Sequence, residues 1–172
     1  HINVTNCYFS TKDNGGHSNF VLTNADHINV DNCTIKGEGN VGNLIYMNFN
    51  NMEGFEGMYL PQILQLVKQG KLEINDHNSF TNCKIYGPET PLAICYLFQD
   101  QRSGYNVVEN NTIVYGGVGV NIGSNGIVKG NNITGGCGIN AGSGSQVINN
   151  NVSGKVTASG SNVIVGNRII TT

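Results

Sequence analysis

One short pattern recurs seven times along the chain, and it limits the possible folds more than any other feature of the sequence. Each copy has a central residue, here called the anchor, with an apolar residue three positions before it and another two positions after it. The anchors are Cys7, Cys33, Cys83, Asn111, Asn131, Asn150 and Asn167. The position before each anchor is Asn or Gly, residues that tolerate a left-handed backbone. The pattern therefore predicts two short strands joined by a bend, repeated in one direction.

The spacing between anchors indicates how the repeats are arranged. Successive anchors are 17 to 50 residues apart, which an antiparallel meander does not explain. Parallel β-coils do explain it, because each coil stacks on the last at about 4.8 Å while loops of variable length leave the corners. The sequence therefore predicts an all-β fold of about seven coils that forms a single domain over residues 1–172.

The longest interval between anchors contains the one helical signal. In the segment 57–70, Ile63, Leu66 and Val67 have the spacing of one helix face, and Gly70 suits a C-terminal stop. We interpret residues 50–73 as an excursion from the second coil that contains a short helix, with one irregular extra coil as the alternative. Neither terminal coil has an amphipathic cap, so we expect a fragment or processed part of a longer chain, or contact with other copies.

Composition argues against several classes of protein. Asn and Gly contribute 28 and 24 of the 172 residues, and both are poor helix formers. A hydrophobic content of 38% argues against disorder, and a net charge of -2 gives no electrostatic basis for binding nucleic acid. No apolar run is long enough to cross a membrane, so membrane insertion is not expected.

The N-C-x-I and N-N-x-I corners, with Val three positions before many of the anchors, resemble the parallel β-helix proteins of the pectate-lyase-like superfamily. Stretches such as NNITGGCGINAGSGSQVINNNVSG are also similar to adhesin-like surface proteins of methanogenic archaea. The resemblance implies a right-handed, single-stranded parallel β-helix. This fold serves lyases, hydrolases, epimerases, phage tail spikes and structural rods alike, so it leaves the function open.

Clustered carboxylates are the catalytic groups that the resemblance implies for an enzyme, and the acids of this chain are unevenly placed. All eleven lie between Asp13 and Glu109. Two Asp-His dipeptides fall at equivalent distances before the anchors Cys33 and Cys83, so they stack if those coils are neighbours. With a nearby lysine they are the candidate catalytic residues of an enzyme: Asp26, His27, Asp76, His77 and Lys84. A solvated loop entrance is the alternative for these positions.

The sequence predicts no metal site and no cofactor, with a single Ca²⁺ between loop carboxylates as the alternative. Cys7, Cys33 and Cys83 share the anchor column with Asn, which indicates a small inward position. We expect free, buried thiols there, and in the later coils stacked Asn amides that hydrogen-bond along the axis. A zinc site is disfavoured because stacked side chains point in parallel instead of converging.

These observations favour a non-enzymatic extracellular rod of a microbial cell surface, structural or adhesive, which assembles end to end into a filament or sheath. Its expected partners are other copies of itself and cell-wall or host polysaccharide. The first alternative is a polysaccharide lyase, hydrolase or epimerase, which two acids with an Arg or Lys across one groove would favour. The second is a phage tail-spike fragment.

Overall fold

The computed structural model describes residues 1–13, 20–23, 26–39, 45–48, 62, 65–66, 69, 71, 77–87, 104–114 and 118–170. Over these residues the chain is all β, and its nineteen strands pair in parallel. Within the same residues, no helix is long and apolar enough to cross a bilayer.

Two long sheets each take one strand from every coil. The strands of sheet 1 precede the anchors: β1 (Ile2–Thr5), β4 (Ile28–Asp31), β7 (Ser79–Thr81), β9 (Val107–Glu109), β12 (Ile127–Lys129), β15 (Gln146–Ile148) and β18 (Val163–Val165). The strands of sheet 2 follow them: β2 (Tyr8–Asp13), β5 (Thr34–Gly39), β8 (Lys84–Tyr86), β10 (Thr112–Val114), β13 (Asn132–Thr134), β16 (Asn151–Val152) and β19 (Arg168–Ile169).

Two shorter sheets complete the described part of the coils. Sheet 3 contains β11 (Val118–Ile122), β14 (Gly138–Ala141) and β17 (Val156–Ala158). A two-stranded sheet contains β3 (Phe20–Thr23) and β6 (Ile45–Asn48).

The register places equivalent residues of successive coils beside one another. Val30 pairs with Phe80, and Phe80 pairs in turn with Val108. The same correspondence holds from the first coil to the seventh in sheets 1 and 2. The predicted parallel β-helix of about seven coils is therefore confirmed.

The second and third coils are direct neighbours despite the long interval between them. Strand β4 pairs with β7, and β5 pairs with β8. Most of the predicted excursion 50–73 lies outside the described residues. Within the segment 57–70, the amide of Gln69 donates to the carbonyl of Gln65, as in one helical turn. No complete helix occurs among the described residues, so the helix at 57–70 stays a prediction.

The core is a column of inward side chains contributed by successive coils. In sheets 1 and 2 the middle coils bury these side chains completely: Val30, Ile35, Phe80, Ile85, Val108, Val128, Ile133, Val147 and Val152 are each 0% exposed. In the seventh coil, the equivalent Ile164 and Ile169 are 49% and 56% exposed. Burial therefore depends on having a coil on both sides.

Left-handed residues form the corners of the coils. The predicted bend before each anchor is confirmed, with φ between 50° and 70° at Asn6, Asn32, Asn82, Asn110, Gly130, Asn149 and Gly166. A second left-handed corner, which the sequence analysis did not predict, lies six residues before the anchors. It contains His27, His77, Tyr105, Asn125 and Gly144, with φ between 54° and 77°.

Inside the first corner, the stacked anchors Asn111, Asn131, Asn150 and Asn167 form the predicted amide ladder. The backbone amide of each of the first three anchors donates to the side-chain oxygen of the next anchor at 2.9 to 3.0 Å. The Nδ2 of Asn131 donates to the carbonyl of Val108 at 2.9 Å and to the Oδ1 of Asn150 at 2.9 Å. Buried backbone groups at the corner are thereby satisfied.

Candidate functional site: a ladder of rings along one corner

Four ring side chains stack along the second corner of the first four coils, and we call them the ring ladder: His1, His27, His77 and Tyr105. The rings of His27 and His77 are nearly parallel, with centroids 4.9 Å apart and an interplanar angle of 7°. His77 and Tyr105 stack at 5.2 Å and 10°. His1 meets His27 edge to face at 4.6 Å and 70°. One ring per coil therefore continues the stack.

The ring ladder occupies positions that favour other residues. His27, His77 and Tyr105 have φ of 54°, 55° and 55°, a conformation that costs most residues with a Cβ about 1–2 kcal/mol. Later coils place Asn125 and Gly144 in the same column; Gly adopts the left-handed conformation freely, and Asn and His adopt it more often than Tyr does. A strained conformation kept for particular side chains is grounds for a hypothesis about their function.

A carboxylate holds one of the imidazoles in orientation. The Oδ2 of Asp26 lies 3.2 Å from the Nδ1 of His27, and both side chains are partly exposed. When Nδ1 carries the proton it donates to the carboxylate, and Nε2 is then the nitrogen with the free lone pair. The pair thus presents one basic nitrogen away from Asp26.

The structure brings together some of the predicted site residues. Asp26, His27 and His77 meet at the ring ladder, whereas Lys84 lies on β8 of sheet 2, in register between Thr34 and Thr112. Asp76 lies outside the described residues.

Sequence reasoning missed the two outer rings, His1 and Tyr105. Their signal was present in the column six before each anchor, which reads His, His, His, Tyr over the first four coils.

A second polar ladder was also missed. Five residues before the anchors, the buried side chains of Asn78, Asn106 and Ser145 and the half-buried side chain of Asn162 face the interior of the second corner. The amide of Ile28 donates to Asn78 Oδ1 at 2.9 Å, and the amide of Asn78 donates to Asn106 Oδ1 at 2.9 Å. This ladder fixes the backbone from which the rings of the ring ladder project.

The acids of sheet 1 lie on its outer face and are engaged by neighbours. Thr81 Oγ1 and Asn82 Nδ2 donate to Asp31 Oδ1 at 2.7 and 2.8 Å. These hydrogen bonds hold the pKa of Asp31 below its ordinary value, because they favour the ionised form. Glu109 and Lys129 form an exposed ion pair at 3.9 Å.

Cys7, Cys33 and Cys83 are free thiols. Cys33, Cys83 and Cys137 are buried, while Cys95 lies outside the described part of the chain. Burial raises the pKa of the Cys83 thiol to about 11. The predicted free, buried thiols are thus confirmed at Cys33 and Cys83. The prediction is wrong in one respect for Cys7, which is free but exposed because a coil covers it on one side alone.

No group of three or more His, Cys, Asp and Glu side chains in the described part of the chain is arranged to hold a metal ion. The chain matches no protein-family model, no curated protein and no solved structure.

Proposed function

We propose that this chain is a non-enzymatic rod of a microbial cell surface, structural or adhesive, in the manner of the adhesin-like proteins that its repeats resemble. The proposal places it outside the cell, with polysaccharide and other copies of itself as partners. The observation that carries it is the continuous stacking of equivalent residues across all seven coils.

Continuous stacking supports a mechanical role because it connects every coil to its neighbours. Each coil is hydrogen-bonded to the next in both long sheets, and apolar side chains fill the column without exposure in the middle coils. The amide ladder adds buried hydrogen bonds along the same axis. At about 4.8 Å per coil, seven coils make a column of about 34 Å.

The outer faces support binding to polysaccharide. On sheet 1, Asn29 Nδ2 donates to Asn3 Oδ1 at 3.1 Å, and Ser79 Oγ donates to Asn29 Oδ1 at 2.8 Å. On sheet 2, an outward column of polar residues runs through Thr34, Lys84, Thr112, Asn132, Asn151 and Arg168. Polar groups at intervals of about 4.8 Å suit the evenly spaced hydroxyl groups of an extended sugar chain.

The edges of sheet 1 support self-association. Strand β18 is one edge, and its side chains Val163, Ile164 and Val165 are 50%, 49% and 57% exposed. Strand β1 is the opposite edge and contains the same columns of the repeat. β18 of one copy is therefore suited to pair with β1 of a second copy in the register used between coils within the chain.

The test is a combined assay of the purified, untagged chain. We expect it to bind members of a panel of cell-wall and host polysaccharides without cleaving them, and to form filaments visible by electron microscopy. The Val165→Asp variant is expected to weaken filament formation while polysaccharide binding is retained. Failure of both binding and assembly would overturn the proposal, as would catalytic turnover.

One observation favours the second candidate, an enzyme that cleaves or epimerises polysaccharide. The Asp26-His27 pair, stacked on His77, provides a carboxylate and a basic nitrogen at an exposed corner. Release of reducing ends or unsaturated products from uronic-acid polymers, lost in His27→Asn, would support this function. No product from any polymer of the panel would exclude it for those substrates.

A further inference from the structure

We propose that His27 and His77 of the ring ladder form a binding site for a divalent transition metal that favours imidazole, such as Zn²⁺. The two side chains come from residues far apart in sequence and are brought together by the pairing of β4 with β7. The site is independent of the proposed mechanical function, since it uses neither the core nor the edges of the sheets.

The spacing of the two rings suits one shared ion. Zn²⁺ binds imidazole nitrogen at about 2.0–2.1 Å, so two nitrogens on one tetrahedral ion lie roughly 3.3 Å apart. The ring centroids of His27 and His77 are 4.9 Å apart in the stack. Because the ring planes are parallel to within 7°, sharing an ion requires the rings to turn out of the stack about χ2, a torsion with broad preferences, so that one nitrogen of each faces the ion. His77 is exposed and His27 is partly exposed, which leaves room for this rotation and for water to complete the coordination shell.

The neighbouring groups favour a cation at this point. Asp26 Oδ2 lies 3.2 Å from His27 Nδ1, which matches the carboxylate–histidine–metal arrangement that orients a ligand and raises its basicity. The carboxylate also adds a negative charge beside the ion. His1 lies edge-on to His27 at 4.6 Å, while Tyr105 covers the other face of His77 at 5.2 Å.

The backbone of this corner does not require an imidazole. Both histidines adopt a left-handed conformation, which Asn125 adopts in the same column with φ of 54°. An Asn at either position would therefore fit the corner at least as well. What an Asn cannot supply is an imidazole nitrogen, the group that zinc favours.

The comparison of the two histidines with Asn125 indicates which variants to test. Zn²⁺ binding to the untagged full chain is measured by isothermal titration calorimetry for wild type, His27→Asn and His77→Asn. Because Asn125 shows that Asn fits this corner, both variants are expected to fold, which circular dichroism and thermal unfolding check. We expect saturable binding of Zn²⁺ to wild type and its loss in both variants.

Asp26→Asn tests the orienting carboxylate separately. Loss of such a partner typically lowers metal affinity by about 10–100-fold, so we expect weakened but measurable binding in this variant. Tyr8→Phe is the matched control, since Tyr8 is an exposed residue of β2 in sheet 2, outside the ring ladder, and the change is expected to leave Zn²⁺ binding unchanged.

A spectroscopic measurement distinguishes direct coordination from a stacking role. Cu²⁺ titrated into wild type is expected to show an electron paramagnetic resonance spectrum with coordinated imidazole nitrogen, and His77→Asn is expected to reduce the number of nitrogens. Absence of Zn²⁺ binding at millimolar concentration would overturn the proposal. Binding that is unchanged in both histidine variants would overturn it equally.

Discussion

At the scale of single residues, the anchor column shows why a buried polar side chain can stabilise this fold. Asn131 accepts the amide hydrogen of Asn111 through Oδ1 and donates through Nδ2 to the carbonyl of Val108. Asn111 directly follows the left-handed bend at Asn110, and Val108 lies in β9 just before that bend. The Asn side chain therefore replaces hydrogen bonds that the bend removes from the sheets.

Replacing Asn131 with Ala is expected to destabilise the protein strongly. The variant leaves buried backbone donors and acceptors of Asn111 and Val108 without partners, and each costs about 1–3 kcal/mol. Urea unfolding measures the change in the free energy of unfolding. Asn132→Ala is the control, because Asn132 is exposed and such changes usually stay within about 0.5 kcal/mol. Equal effects of the two variants would contradict the role of the amide ladder.

Cys7 and Cys83 are expected to differ in reactivity because they differ in burial. Cys83 is buried and its thiol pKa is raised to about 11, whereas Cys7 is exposed. We expect iodoacetamide at pH 8 to label Cys7 rapidly and Cys83 only when the protein is unfolded. Mass spectrometry of digested samples measures the labelling of each site. Labelling of Cys83 in the folded protein at the rate of Cys7 would contradict the burial.

The raised pKa of Cys83 also predicts a dependence of stability on pH. The ordinary value is 9.0 and the folded value is about 11, so the unfolded chain loses the thiol proton first as pH rises. The stabilising contribution is thus complete below pH 9 and is lost progressively towards pH 11. Cys83→Ala is expected to show a shallower loss of stability over this range by urea unfolding.

At the scale of elements, short strands are held in place by corners of fixed conformation. Most strands of sheets 1 and 2 contain three residues, which is too short for a strand to be stable by itself. Left-handed residues lie on both sides of the sheet 1 strands β4, β7, β9, β12 and β15 and set where these strands begin and end. The strand and its two corners therefore behave as one unit, repeated from the second coil to the sixth.

The corner conformation can be tested at Asn149, whose φ is 54°. A β-branched residue is expected to destabilise this position by more than about 1–2 kcal/mol, the usual cost of a left-handed residue with a Cβ. We therefore expect Asn149→Val to lower the free energy of unfolding clearly, as measured in urea. Asn149→Gly is the control and is expected to be far milder, since Gly130 and Gly166 occupy the same column. A mild effect of Val would show that the corner is not conformationally demanding.

At the scale of the whole molecule, stability comes from stacking, and each coil depends on its neighbours for burial. Ile133 and Ile169 occupy the same column, yet Ile133 is 0% exposed and Ile169 is 56% exposed. The difference arises because β13 has a partner strand on both sides, whereas β19 is an edge.

This difference in burial predicts that the same Ile→Ala substitution changes the free energy of unfolding by different amounts at two positions of one column. Ile133→Ala is expected to cost about 2–5 kcal/mol, as is typical of a buried Ile. Ile169→Ala is expected to cost much less, because the side chain is already half exposed. Urea unfolding of the two variants measures the difference. Assembly of copies through this edge would raise the cost at Ile169 as the protein concentration increases.

The sequence by itself determined the architecture, because parallel stacking demands the same kind of residue at the same place in every coil. The apolar columns, the bend at Asn149 and its equivalents, and the amide ladder at Asn131 could all be predicted from aligned positions. Each of these features needs one kind of residue at one position of the coil. Because the same kind of residue recurs at that position in every coil, the requirement can be recognised in a single sequence.

Only the tertiary structure decided which exposed groups meet. His27 and His77 are separated by the longest interval between anchors, and their rings stack because β4 and β7 pair directly. The ring ladder follows from the register between coils, and so does the position of Lys84 on sheet 2, away from His77. Cys7 is exposed because its coil has a neighbour on one side alone. Contacts between coils depend on how the loops return the chain, and loop length alone does not contain that information.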